Sequence, residues 1–145
     1  MELPEYISKE EVRRVCEELG LSDWTQLSEP KVSLDEARKV QAEVGAEAAE
    51  ISAEEFRQGM EVELEHGLQF PDANVTNNHP ILTGKIVLAH LKEMLDYYTR
   101  LEVAELEGDL LKAKLKGDAE KLSKVYGRLL AARASLSQKE LEQAK

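Results

Sequence analysis

The sequence predicts an all-α protein, and three observations support this fold class. Aromatic residues make up only 5% of the 145 residues, whereas charged residues make up 33%. A chain with few aromatics and many Ala, Leu, Glu and Lys residues is typical of packed helices rather than of a β-sandwich. Helix-capping signals recur along the chain, and no long stretch shows the alternation of a strand. We therefore expect a helical bundle of five or six helices around a central antiparallel helical hairpin, formed by residues 52–67 and 83–106.

Three helices of the predicted bundle begin at a serine that is followed three residues later by glutamate. Such a capping box satisfies backbone N–H groups that a helix start leaves unpaired. The serines are Ser8, Ser33 and Ser52. Residues 8–20 and 33–45 are also identical at six of thirteen positions, at a constant offset of 25. Either a duplication or shared capping chemistry on amphipathic helices explains this similarity.

The second half of the chain contains the remaining predicted helices. Residues 69–78 are rich in turn-forming residues, so we expect a loop there, followed by a helix that Thr83 caps and that reaches at least Leu106. This helix is interrupted at Gly108 or continues to Lys116. Residues 119–134 form a last amphipathic helix. We expect three segments within one compact unit: residues 1–30, the core residues 33–107, and a C-terminal extension of residues 108–145.

Charge and composition exclude several classes of function. A net charge of −10 opposes binding to nucleic acid and to anionic lipid. No apolar run approaches the roughly 20 residues that span a bilayer, and the N-terminus lacks a signal-peptide pattern. The single cysteine, Cys16, cannot form an internal disulfide, so we expect a cytoplasmic protein with this thiol half-buried in a helix.

Histidine and glutamate side chains form the candidate site. At about 100° per residue, Glu63 lies on the apolar face of its predicted helix, and His66 lies at the edge of that face. In the next predicted helix, His90, Glu93 and Tyr97 fall among apolar residues. A carboxylate that faces the core is costly unless it is paired, hydrogen-bonded or bound to a metal.

Two interpretations of this site remain open. In the first, Glu63, His66, His90 and Glu93 bind a divalent transition metal (Zn, Fe or Mn). Tyr97 and Asp96 then contact these ligands rather than the metal itself. In the second, the same groups form a buried hydrogen-bond network in which His90 bonds Glu63 and Tyr97 bonds Glu93.

Other residues give weaker signals for chemistry. We expect His79 to be exposed in the loop, and Asp96 to be exposed or to pair with Lys85 or Arg100. No serine, histidine and acid pattern indicates a nucleophilic triad, so an enzyme without metal would have to use Glu63 or Glu93 as a general base. We favour a protein that is not an enzyme.

From Ser33 to about Glu107 the sequence resembles a bacterial family of unknown function, some of whose related sequences occur in phage proteins. The residues that carry the resemblance are Phe56–Met60, Val62–Gly67, Asn74–Thr76, Thr83–Ile86, Ala89–Leu91, Glu93 and Asp96–Leu101. The resemblance implies no established activity. Residues 77–80, Asn-Asn-His-Pro, stand where Asn-Asp-Asp-Pro is usual, which disfavours a calcium site in the loop. Met94 and Leu95 replace a Phe-Pro-like pair and should keep this helix straight.

The C-terminal extension suggests a function of a different class. Residues 110–136 form an amphipathic segment beyond the resemblance, and such a segment packs on a partner or on a second copy. A structural or adaptor module, forming a homo-oligomer or binding a protein through its C-terminal helices, is therefore our alternative to a metal-binding protein.

Overall fold

A computed structural model describes residues 4–145 of the chain, and all regular structure in that range is helical. The prediction of an all-α fold with five or six helices is confirmed, because six α-helices and no strand are found among the described residues. The helices are α1 Lys9–Leu19, α2 Leu34–Val44, α3 Ala53–Gln69, α4 Pro80–Glu93, α5 Tyr97–Lys116 and α6 Ala119–Gln143. Short 3₁₀ helices lie at Trp24–Gln26, Ala46–Glu50 and Pro71–Ala73.

These helices divide into two compact units. The first unit extends to Lys92 and contains α1 to α4, and the second comprises Glu93–Lys145 with α5 and α6. The closest helix pairs are α2 with α3 and α5 with α6. Residues 4–145 include no helix with the length and hydrophobicity needed to cross a bilayer. The prediction that the N-terminus lacks a signal peptide includes residues 1–3, and these three residues lie outside the described range.

The predicted capping serines begin three helices of the first unit. Ser8, Ser33 and Ser52 each accept a hydrogen bond from the backbone N–H three residues later. At Ser33 the box is complete, because the Glu36 carboxylate accepts from the backbone N–H of Ser33. Glu36 also accepts from the backbone and hydroxyl of Ser22. Burial raises the pKa of Glu36, but these hydrogen bonds outweigh it and lower the pKa to about 2.

The core of the first unit collects apolar side chains from all four of its helices. The most deeply buried are Val12, Cys16, Trp24, Val40, Phe56, Met60, Leu64 and Val87. Cys16 is only 2% exposed, more buried than predicted, and its burial raises the pKa of the thiol. A buried thiol with a raised pKa is a poor nucleophile, so Cys16 is a packing residue.

The helix predicted for residues 83–106 is wrong in its extent, because two helices occupy this stretch. It begins earlier, at Pro80, and breaks between Glu93 and Tyr97. At the break Asp96 is buried and accepts two hydrogen bonds from Arg100, at 2.9 and 2.8 Å. A carboxylate at the start of α5 is favoured by the helix dipole. The expectation that Met94 and Leu95 keep one straight helix is therefore also wrong.

The second unit is a helical hairpin. Glycine at position 117 adopts a left-handed conformation, φ 67°, and ends α5 as predicted, while Asp118 caps α6. Helix α5 continues through Gly108, which was one of the two alternatives. Ion pairs from Arg133 to Glu107 and from Arg100 to Glu140 bridge the two antiparallel helices. Between the helices lie the buried side chains of Leu106, Val125, Leu129 and Ala132.

Close packing at Gly84 fixes α4 against α2 and α3. A Cβ atom at this position would lie 2.8 Å from a methyl carbon of Val40 and of Val44, and 3.2 Å from the ring of Phe56. Real Cβ atoms do not approach other carbons so closely, so the helix contact requires glycine.

We predict that Gly84→Ala lowers the free energy of unfolding by about 1–2 kcal/mol, because overpacking costs about 1–3 kcal/mol. That cost exceeds the roughly 1 kcal/mol that alanine gains over glycine inside a helix. Urea denaturation followed by circular dichroism measures the change. Gly127→Ala in α6 is the control: no atom lies within 4 Å of its Cβ position, so it should stabilise the second unit. A neutral or stabilising Gly84→Ala would contradict the packing described.

Candidate functional site

A hydrogen bond between His90 and Glu63 joins α4 to α3. The His90 Nδ1 atom lies 3.1 Å from the Glu63 Oε1 atom. The two side chains are 32% and 17% exposed, so the contact is partly shielded from water. This is the His90–Glu63 bond of the second interpretation. It shows that sequence reasoning placed these two side chains correctly on facing helix surfaces.

The other predicted ligands occupy different environments. His66, near the end of α3, is exposed, and so is Glu93, the last residue of α4. The expectation that all four side chains face the core is therefore wrong for these two. No group of three or more His, Cys, Asp or Glu side chains within residues 4–145 is arranged to hold a metal ion.

The supporting residues of the predicted metal site lie in the second unit. Tyr97 is partly buried, and its ring packs against that of Tyr98 in a T-shaped arrangement with the ring centroids 5.2 Å apart. Asp96, 1% exposed, pairs with Arg100, which was one of the partners considered for it. The expectation that Asp96 is exposed is wrong, because two guanidinium hydrogen bonds satisfy the buried carboxylate.

An asparagine cluster closes the loop between α3 and α4. The Asn74 side-chain amide donates to the carbonyl of Gly67 at 3.2 Å and to Asn78 Oδ1 at 2.8 Å. Asn77 and Asn78 both have positive φ, at 48° and 61°, which asparagine tolerates better than most residues. A Cβ at Gly67 would lie 2.4 Å from Asn78 Oδ1, so a larger residue at this position would displace the asparagine side chains. Sequence analysis recognised these asparagines only as turn formers.

The expectation that His79 is exposed is wrong. His79 is 7% exposed, and its Nδ1 atom accepts hydrogen bonds from the backbone N–H groups of Ile81 and Leu82. It therefore caps α4, whose first residue is proline and has no backbone N–H that would need an acceptor. Burial lowers the pKa of His79 below its ordinary 6.5; Arg14 adds to this effect, and Glu11 opposes it.

A pocket of about 330 Å³ opens between α3, α4 and the asparagine loop. Its lining comprises Glu63, His66, Gly67, Phe70, Ala73, Asn74, Val75, Thr76, Asn78, Thr83 and Ile86. The size is at the lower end of small-molecule sites. No lysine or arginine lines it in the part of the chain that the structure describes. Its carboxylate, imidazole and amide groups therefore suit a cation better than an anion.

Residues 12–107 match a family model described as "Protein of unknown function (DUF5661)". The chain belongs to this family. Membership extends the resemblance seen in the sequence from Ser33 back into α1, and it includes every residue that lines the pocket. Helix α6 lies outside the matched range. No curated protein and no solved structure matches the chain.

We predict that acidification destabilises the fold through His79. Because the folded-state pKa of His79 lies below that of the unfolded chain, the unfolded chain takes up the proton first as the pH falls. The stability that neutral His79 contributes is complete above about pH 6.5 and is lost as the pH falls through the folded-state pKa. Thermal unfolding from about pH 8 to about pH 5 measures this loss.

The variant His79→Asn is the control for that measurement. Asparagine is a good N-cap that does not titrate, so the variant should cap α4 and lose less stability over the same range. Equal losses in both proteins would show that other groups cause the pH dependence.

Proposed function

We propose that the protein is a structural or adaptor module that binds a protein surface through its C-terminal hairpin, α5 and α6. The observation that carries the proposal is the exposed apolar side of this hairpin. Leu111 and Leu115 are 60% and 78% exposed, and Tyr126 and Leu130 are 50% and 49% exposed. Single exposed apolar residues are ordinary, but several that adjoin one another mark an interaction site.

These residues form one continuous surface. A groove of about 430 Å³ between the helices is lined by Leu110, Leu111, Leu122 and Tyr126, with Glu107 and Lys114 at its edges. Leu115 and Leu130 follow Leu111 and Tyr126 by four residues and so extend the same sides of the helices. We call Leu110, Leu111, Leu115, Leu122, Tyr126 and Leu130 the hairpin face.

The His90–Glu63 pair has a structural role in this proposal. The 3.1 Å bond ties α3 to α4 beside the pocket, and it satisfies a carboxylate that would be costly to leave unpaired on a mostly buried surface. The first unit then serves as the folded support to which the hairpin is attached.

The proposed setting is the reducing cytoplasm. It is supported by the single cysteine, Cys16, which is a buried free thiol. The net charge of −10 supports a protein partner over nucleic acid, since polyanion binding requires basic surface.

We predict that a photo-reactive phenylalanine analogue at position 115 of the full chain forms a covalent protein adduct in the cells of origin. The same analogue at Val75 is the control, because both side chains are 78% exposed but Val75 belongs to the first unit. Adducts should be analysed by gel mobility and mass spectrometry. Adding Leu111→Ser and Leu130→Ser should abolish the adduct at position 115, because both changes remove apolar contacts from the face.

Absence of an adduct at position 115, or an equal adduct at position 75, would refute binding through the hairpin face. An adduct that survives the two serine changes would do the same, because it would not depend on the apolar surface.

A second candidate function, transition-metal binding, is favoured by one observation. Glu63 and His66 line the same pocket, together with amide and hydroxyl oxygens from Asn74 and Thr76. Carboxylate and imidazole groups are ligands for Zn, Fe and Mn ions. His90 is bonded to Glu63 and could join such a site through a rearrangement. Glu93, the fourth predicted ligand, is not among the residues that line the pocket, so its part in metal binding would need a variant of its own.

Metal binding at the pocket predicts that Zn²⁺ or Mn²⁺ binds untagged protein near one equivalent in calorimetry and raises the melting temperature. His66→Ala should abolish both effects with little change in metal-free stability, because His66 is exposed. His90→Ala should lower metal-free stability by about 0.5–1.5 kcal/mol by removing the bond to Glu63. No heat and no change in melting would exclude this function and leave the structural role of His90.

A further inference from the structure

The net negative charge of the protein comes from one of its two units. Residues 1–92 contain nineteen acidic and nine basic residues and so account for the whole net charge of −10. Residues 93–145 contain ten acidic and ten basic residues and are formally neutral. Association between two copies therefore meets the least net repulsion where two hairpins meet.

The neutral hairpin has two oppositely charged ends. Residues 110–128, at the end with the turn, include six basic and two acidic residues, a formal charge of +4. Residues 93–109 include six acidic residues and one basic residue, and residues 129–145 include two acidic and three basic residues. The end away from the turn thus has a formal charge of −4.

Most of the positive charges near the turn lack an acidic partner. Among the six basic residues, Lys112 bonds Asp109 at 3.2 Å. The others form no ion pair with any residue in the described range 4–145; they are Lys114, Lys116, Lys121, Lys124 and Arg128. Of these five, only Lys114 lines the groove of the hairpin face, whereas Lys121, Lys124 and Arg128 line a separate groove together with Asp109, Asp118 and Glu120. A cation without an ion pair at the edge of an exposed apolar face favours a partner that supplies an acidic group there.

We propose that the hairpin face binds the same face of a second copy, with the two hairpins antiparallel about a two-fold axis. This inference rests on the proposed function and identifies its partner. In the antiparallel arrangement, the positive end of each hairpin lies against the negative end of the other. A parallel arrangement would place +4 on +4 and is disfavoured. The two faces are self-complementary, and their union is a four-helix bundle.

The size of the hairpin suits a modest but specific interface. Helix α5 has 20 residues, which corresponds to a length of about 30 Å. Two adjacent helices, each about 10 Å across, present roughly 600 Å² per copy, which is near the lower limit for specific interfaces. We therefore expect a dissociation constant on the order of micromolar.

Sedimentation equilibrium of the full chain at physiological salt tests the proposal. The chain should dimerise reversibly, and Leu111→Ser with Leu130→Ser should make it monomeric with an unchanged circular dichroism spectrum. Lys114→Glu should weaken the dimer at least about tenfold, since it reverses the charge that lines the groove of the hairpin face. Lys85→Glu changes the total charge equally but lies in the first unit, so it should have a much smaller effect.

Each contrary result has a defined meaning. If Lys114→Glu tightens the dimer, the antiparallel arrangement is wrong, because only parallel hairpins bring the two positive ends together and would gain from a lower positive charge on both. A dimer that persists with both serine changes would place the interface elsewhere. A monomer at all concentrations refutes self-association. In that case, a covalent adduct between position 115 and a different protein would still support the proposed function. The absence of any adduct would refute both the proposed function and the proposed dimer.

Discussion

The contact of α4 with α2 and α3 at Gly84 determines where the polar groups of the first unit lie. Side chains from Val40, Val44 and Phe56 occupy the space that a larger residue would need. Glu63 lies seven residues beyond Phe56 and His90 six residues beyond Gly84, so each is about 10 Å along its helix from the contact. The packing that holds α4 against α3 at Gly84 therefore also helps to position the two side chains that form the hydrogen bond.

The asparagine loop gives the pocket a fixed edge by a different means. Here the backbone turns through two residues with positive φ, and amide side chains bond to one another and to the end of α3 at Gly67. His79 then begins α4 by accepting two backbone hydrogen bonds. Because these groups already have partners within the fold, the pocket keeps its shape without a ligand, and binding would not have to order it.

The sequence predicted local features well and tertiary environments less well. Capping serines and the stop at Gly117 depend on neighbouring residues, so their patterns could be recognised directly. A helical wheel shows which residues share a face, but not which face is covered, and for that reason His66 was assigned wrongly to the core. The break before α5 was missed because residues 94–96 include no glycine or proline to mark it. The role of His79 depends on burial by residues distant in sequence, which no local pattern reveals.

Whether two strongly acidic proteins can associate depends on distance more than on total charge. At about 0.15 M salt the Debye length is roughly 8 Å, so charges farther apart than this are largely screened. In the proposed dimer, Glu107 and Lys114 at the edges of the hairpin face would lie within that distance of the second copy, whereas the net −10 of each first unit is spread over its surface. Charges at the interface would therefore affect association more than the net charge at physiological salt. All six residues of the hairpin face lie beyond residue 107, so the proposed contact would use a segment outside the family match.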